Sequence, residues 1–172
     1  SLGVASHFGI KGQVLTISSS CTSSLDALYI ANMMLETNKT DVCIVGGSES
    51  MITKTLLAGF LKTKTLSKEK SISRAGRPFS QSYQGFVVSE GAGIVVLERE
   101  SYANNRNAKI FGRIANIYTN NDGLSIYASD KTGATMIECL HTTLEGNKPT
   151  YINSQALGIS ENDHVEYQTH KT

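Results

Sequence analysis

The sequence predicts an α/β protein, and three neighbouring segments carry that prediction. Residues 13–18 (QVLTIS) alternate apolar and polar side chains and include β-branched ones, the pattern of a short strand. Residues 22–36 follow without glycine or proline; Ser, Thr and Asp crowd the first turn, and Leu25, Leu28, Tyr29, Ile30, Met33 and Met34 cover most of the circumference. That pattern predicts a helix buried on nearly all sides. Residues 41–47 (DVCIVGG) form a continuous apolar run closed by two glycines, as in a strand covered on both faces. Strand, helix, strand is the unit of a parallel sheet.

The rest of the chain continues the alternation. A helix is predicted over residues 54–62, and the polar stretch 63–78 reads as a surface loop. Residues 86–98 (FVVSEGAGIVVLE) read as two extended pieces around a glycine turn, of which IVVLE is the surest strand. A short helix over 101–107 and a strand over 110–118 follow. After a polar turn at 119–123, residues 132–145 place Met136, Ile137, Leu140 and Leu144 at helical spacing, and Gly146 ends the helix. Residues 150–153 are a further strand. No short-period repeat or low-complexity tract is present.

Composition narrows the functional classes. At 172 residues and 40% apolar content the chain has the size of one ordinary folded domain. Its net charge of +1 is scattered, which points to neither nucleic acid nor an anionic membrane as partner. No apolar run reaches a membrane span, and SLGVASHFGIKG lacks the charged start and apolar stretch of a secretory signal, so a cytoplasmic location is expected. Cys21, Cys43 and Cys139 are odd in number, far apart and without CxxC spacing, which disfavours a disulfide framework and a zinc site.

Cys21 is chemically placed. It follows a predicted strand and stands at the first turn of a predicted helix, where unpaired N–H groups and the positive end of the macrodipole stabilise a thiolate. A thiolate there suits acyl transfer to sulfur. Cys43, inside a strand, and Cys139, inside a helix, are read as packing residues. SEGAG has neither the GxGxxG nor the P-loop spacing and no helix after it, so it is a poor phosphate cradle.

The string ISSSCTSSLDALYIANMMLETNKTDVCIVGGSES resembles the nucleophile region of the β-ketoacyl synthases, the condensing enzymes of fatty-acid and polyketide assembly. GRPFSQSYQGFVVSEGAGIVVLERESYANNRNAKIFG is similar to that family's Pro-Phe-Asp-x-x-Arg-Asp-Gly-Phe-Val block and Glu-Gly-Ala-Gly turn, and the likeness runs on to YINSQALGISENDHVE. The resemblance implies the thiolase-like layered α/β fold, two related βαβαβαββ halves with mixed, mostly parallel sheets. Residues 1–118 then correspond to the late part of the first half, and 119–172 to an incomplete beginning of the second. Either the sequence is a fragment, or another polypeptide supplies the missing layers.

The same resemblance implies Cys21 as nucleophile, no resident cofactor, acyl groups presented on the phosphopantetheine of an acyl-carrier protein, and a homodimer or a heterodimer with an intact ketosynthase. The pattern also breaks. With Asn153 and Asn162-Asp163 holding the register, the first catalytic histidine of the family's Asn-Ala-His-Gly-Thr-Ser-Thr motif is replaced by Gln155, and Ala156, Leu157, Gly158 and Ile159 follow. A glutamine donates a hydrogen bond but exchanges no proton near neutral pH, which removes the acid-base chemistry of decarboxylation. Ser80, Tyr83 and Gln84 stand where the family carries Asp, Arg and Asp, charges suited to an ion-pair network whose joint removal strands none of them. Gly85, Phe86, Glu90, Gly91, Ala92 and Gly93 are kept, with backbone geometry at a turn as their expected role. His7, His141, His164 and His170 match no family position.

These observations favour a degenerate, chain-length-factor-like partner of an active ketosynthase. Two alternatives stay open: a Cys21-dependent acyltransferase that accepts acyl groups without condensing them, and a piece of a longer ketosynthase.

Overall fold

The structure is a computed structural model that describes residues 1–82, 85–124 and 129–172. The chain divides into two compact units. The first comprises Ser1–Ser48 with Ala92–Arg113, the second Glu49–Gly91 with Ile114–Thr172.

The first unit is built on a helix and a strand pair. Helix α1 (Leu2–His7) opens the chain, a 3-10 turn (Ser20–Thr22) leads into α2 (Ser23–Glu36), and β1 (Val42–Glu49) pairs with β2 (Gly91–Glu98), which runs into α4 (Glu100–Asn105). The two strands are antiparallel, with the Arg99 N–H bonded to the Asp41 carbonyl at one end and Gly46 against Gly93 and Ile94 further along. Arg99 also fixes the turn between α2 and β1, its guanidinium bonding Asn38 Oδ1 and Asp41 Oδ1. Arg106 forks onto Glu98 with bonds of 2.8 and 2.7 Å and ties α4 to the end of β2.

Helix α2 falls within the predicted bounds, but the burial expected of it does not hold. Ala31 and Leu35 are buried, whereas Leu25 is 64% and Met33 40% exposed. β1 differs in the same way: Val45 is buried, Val42 and Ile44 are exposed, and its neighbour is antiparallel. On β2, Ile94, Val95 and Val96 are all exposed, so side chains on both faces of that strand meet solvent. The sequence around 91–93 is also not a turn. Gly91, Ala92 and Gly93 lie inside β2, and it is Gly46 on β1 whose missing Cβ lets the two strands approach, since a Cβ there would overlap Gly93 and Ile94.

The second unit holds α3 (Lys54–Thr63), a 3-10 turn (Ile72–Arg74), α5 (Ala134–Leu144) and α6 (Ser160–Thr169). Thr53 caps α3 by accepting the Leu56 N–H at 3.3 Å, and Gly146 follows the end of α5 with φ +80°. The segment 110–118, predicted as a strand, forms no ladder among the described residues, and from Asn116 onward side chains tie the chain to α5 instead. Asn116 Nδ2 donates to the Thr142 carbonyl at 3.1 Å, and Asn120 Nδ2 to the Thr135 carbonyl at 2.8 Å. Segments 13–18 and 150–153 likewise lack a ladder partner among the described residues. Alternation fixes which face a side chain takes, but a strand also needs a neighbour for its N–H and C=O groups.

Among the described residues, every buried apolar side chain belongs to the first unit: Ala5, Ala31, Leu35, Val45 and Ala103. The buried side chains of the second unit are polar, namely Asp163, Glu166 and Thr169. Glycines let its loops close on them. Gly85 has φ +87°, its N–H bonds the Gly158 carbonyl at 3.0 Å, and a Cβ there would overlap the backbone of Thr65 and Leu66. Gly85→Ala is therefore expected to lower stability by about 2 kcal/mol or more, from the left-handed backbone penalty plus the overlap. Urea denaturation measures this, and a loss under about 0.5 kcal/mol would contradict the geometry.

Candidate functional site

Cys21 is expected after a strand and at the first turn of a helix; the helix is there, while residues 13–18 form no strand. Cys21 lies in the middle of the 3-10 turn that feeds α2, and its side chain is exposed. The turn is held by hydroxyl groups in the Ser-rich run before it and the first helical residues after it. Ser23 Oγ accepts the Ser19 N–H at 2.9 Å and donates to the Ser20 carbonyl at 2.6 Å. Thr22 Oγ1 shares its one proton between the Ser19 carbonyl at 3.0 Å and Asp26 Oδ2 at 2.9 Å, and Ser19 Oγ donates to that same Asp26 oxygen. Hydrogen bonds from Ser19 and then Thr22 keep the Asp26 carboxyl below the ordinary aspartate range.

Behind the turn, α2 sits close to the sheet. Gly47 has no room for a Cβ because Ser24 Oγ occupies that position. An apolar hollow of about 230 Å³ opens there, lined by Ser24, Leu28, Val45, Gly47 and Val95 among others, and begins three residues from Cys21. The remaining cysteines differ in kind from Cys21. Cys43 is half-buried, and burial pushes its thiol above the usual value. The half-buried Cys139 Sγ lies 3.7 Å from the Tyr118 carbonyl.

Gln155, which the resemblance sets at the family's histidine position, belongs to the second unit and is exposed. The loop that carries it is gripped by α6. Glu166 accepts the Gln155 N–H on one oxygen at 2.7 Å and the Ala156 N–H on the other at 2.9 Å. One helical turn earlier, Asp163 accepts the Gly158 N–H at 2.9 Å and the Phe79 N–H at 2.7 Å. The grip holds Ala156 at φ +53° and Gly158 at φ +73°. Sequence reasoning used Asp163 only as a register mark and assigned nothing to Glu166. Their spacing of three on a helix was the available signal, since it sets both carboxylates on one face.

Of the altered family block, Ser80 makes a local pair with Ser82 at 3.2 Å; Tyr83 and Gln84 lie outside the described residues. Glu90 has a definite partner set. Its Oε1 accepts from Ser50 Oγ and from the Ile52 N–H, each at 3.0 Å, and so closes the bend after β1. Of the four histidines, His170 Nδ1 lies 3.4 Å from Ser154 Oγ, and His7 stacks edge-on against Phe8.

Comparison with known proteins bears on the fold and the family. The structure superposes on a type II polyketide ketosynthase, solved in complex with its acyl-carrier protein and bound to a hexaketide, with a TM-score of 0.90 at 27% identity, covering 98% of this chain and 43% of that one. A β-ketoacyl synthase from Burkholderia phymatum matches with a TM-score of 0.89 at 27% identity, over 98% of this chain and 42% of that one. The fold is thus the thiolase-like one of the ketosynthases.

The family model for the β-ketoacyl synthase N-terminal domain matches residues 3–103. A putative polyketide β-ketoacyl synthase 1 of Streptomyces cyaneus is 34% identical over 95% of this chain and 40% of its own length. A 3-oxoacyl-[acyl-carrier-protein] synthase 2 of Rhizobium meliloti is 32% identical over 79% of this chain and 33% of its own length. The chain belongs to the β-ketoacyl synthase family, and it spans about 40% of the length of the first of these relatives. No helix among the described residues is long and apolar enough to cross a membrane.

Proposed function

We propose that this chain takes an acyl group from a carrier-protein thioester onto Cys21 and does not condense it with an extender unit. In that step the Cys21 sulfur forms a bond to the thioester carbonyl carbon, the carbonyl–sulfur bond to the donor breaks, and the proton leaving Cys21 ends on the released phosphopantetheine thiol. The observation that carries the reading is an exposed thiol at the head of a 14-residue helix, in a turn braced by four side chains. Decarboxylation of a malonyl unit needs a group that stabilises an enolate and moves protons, and Gln155 supplies only an amide. The chemistry calls for no resident cofactor, and the setting is the cytoplasm.

An acidic carrier surface suits the stretch between Lys62 and Arg77. Lys62, Lys64, Lys68, Lys70, Arg74 and Arg77 are exposed there, and Glu69 is the one acid among them. This local excess of positive charge is hidden in the near-neutral total. The test is intact mass after incubation with an acetyl-carrier protein. One acetyl group on Cys21, with no longer product after addition of malonyl-carrier protein, is the expected result. Elongation by the chain alone would refute the second half of the reading, and an unmodified Cys21 the first.

A second reading, a chain-length-factor-like subunit paired with an intact ketosynthase, is favoured by β2, whose Ile94, Val95 and Val96 need cover. Copurification with such a partner separates this reading from a self-sufficient acyl acceptor.

A further inference from the structure

We propose that Asp26 is the positioning residue for Cys21, its carboxylate fixing the 19–22 turn so that the thiol and the N–H groups at the helix start meet a thioester together. The proposal rests on the reading that Cys21 accepts an acyl group.

Two observations about the turn carry it. First, a single oxygen, Asp26 Oδ2, accepts from Ser19 Oγ and from Thr22 Oγ1, so one carboxylate grips the chain on both sides of Cys21. Second, Ser20, immediately before the nucleophile, has φ +63°, a left-handed conformation that a residue with a Cβ keeps only when its surroundings over-determine it. The Ser23 hydroxyl holds the Ser19 N–H and the Ser20 carbonyl but does not touch Thr22, whose own hydroxyl reaches the Ser19 carbonyl at 3.0 Å. Asp26 supplies the remaining restraint. The two hydroxyls that donate to it hold the Asp26 carboxyl below the ordinary aspartate range, so a charged acceptor faces them at neutral pH. Helix formation alone does not demand this arrangement, because an aspartate in a first turn serves the macrodipole equally well pointing into water.

Positioning acts on reactions that need geometry more than on those that need only access. The test compares the parent chain with Asp26→Ala, Asp26→Asn and Thr22→Val. Three quantities are read: acetylation of Cys21 by the acetyl thioester of N-acetylcysteamine, its alkylation by iodoacetamide, and amide hydrogen exchange over residues 19–23. Asp26→Ala is expected to slow acetylation about tenfold or more, to leave alkylation within about twofold, and to speed exchange in the turn. Asp26→Asn keeps an acceptor oxygen and recovers most of the acetylation rate. Thr22→Val, which removes one of the two bonds and leaves α2 intact, falls between.

Parent-like acetylation and exchange in Asp26→Ala would overturn the proposal. So would equal losses of acetylation and alkylation, or an Asp26→Asn chain as slow as Asp26→Ala. If the parent chain takes no acetyl group, the acyl-transfer reading fails by itself. Exchange then judges the grip, and unchanged exchange in Asp26→Ala rejects it.

Discussion

Cys21→Ala is expected to abolish covalent acyl uptake, a loss on the order of 10³-fold or more, because the sulfur is the atom to which the acyl group bonds. The same substitution should leave stability within about 0.5 kcal/mol, since the side chain is exposed and the turn is held by Ser19, Thr22, Ser23 and Asp26. Intact mass and urea denaturation measure the two effects on one sample. Cys43 and Cys139 serve as internal controls: both are half-buried, and burial already disfavours the Cys43 thiolate. An acyl adduct surviving in Cys21→Ala would move the nucleophile elsewhere and end the assignment.

Asp163→Ala should be the most damaging substitution for stability, with an expected cost of about 3 kcal/mol or more. The carboxylate is 5% exposed and receives the Phe79 and Gly158 N–H groups, bonds to a charged acceptor worth about 1.5–3 kcal/mol each. Truncation leaves both donors without that acceptor in a place where water does not readily replace it. Asp163→Asn should fall between, because its amide keeps one carbonyl oxygen but turns an NH₂ towards one of the two donors. Glu166→Ala frees the Gln155 and Ala156 N–H groups in the same way. Chemical denaturation of the chain decides the matter, and an Asp163→Ala loss below about 1 kcal/mol would mean that the loops hold without α6.

How much was legible follows the physics of each signal. The strand expected before Cys21 does not form, but the helical side of its turn was legible, since residues 22–36 gave α2 to within one residue. The Asp26 grip was not, since two hydroxyls meeting one carboxylate depends on rotamers that sequence does not record. Helix α6 went unseen for a different reason. SENDHVEYQT has no apolar stripe, and the face it buries is made of Asp163, Glu166 and Thr169, which ordinarily mark a solvated face. Helix α1 was missed because six residues with a central alanine give too few turns for a period to emerge.

The strands show where pattern and pairing part company. Residues 13–18 alternate as a strand should and 150–153 read as another, yet a ladder partner is a long-range fact. At 91–93 the glycines suggested a turn, whereas they lie inside β2, and the close approach between the strands is marked by Gly46 on β1. In α2 the apolar circumference was read correctly and its burial was not. Leu25 and Met33 are suited to cover that the described residues do not provide.

The polar centre of the second unit bears on how it melts. Hydrocarbon coming into contact with water raises the heat capacity, while peptide and carboxylate groups lower it. A body that closes around Asp163, Glu166 and Thr169 therefore opens with a small heat-capacity increment, and its stability curve against temperature is broad and shallow. Cooling will weaken it less than a body of similar size packed on leucine and valine.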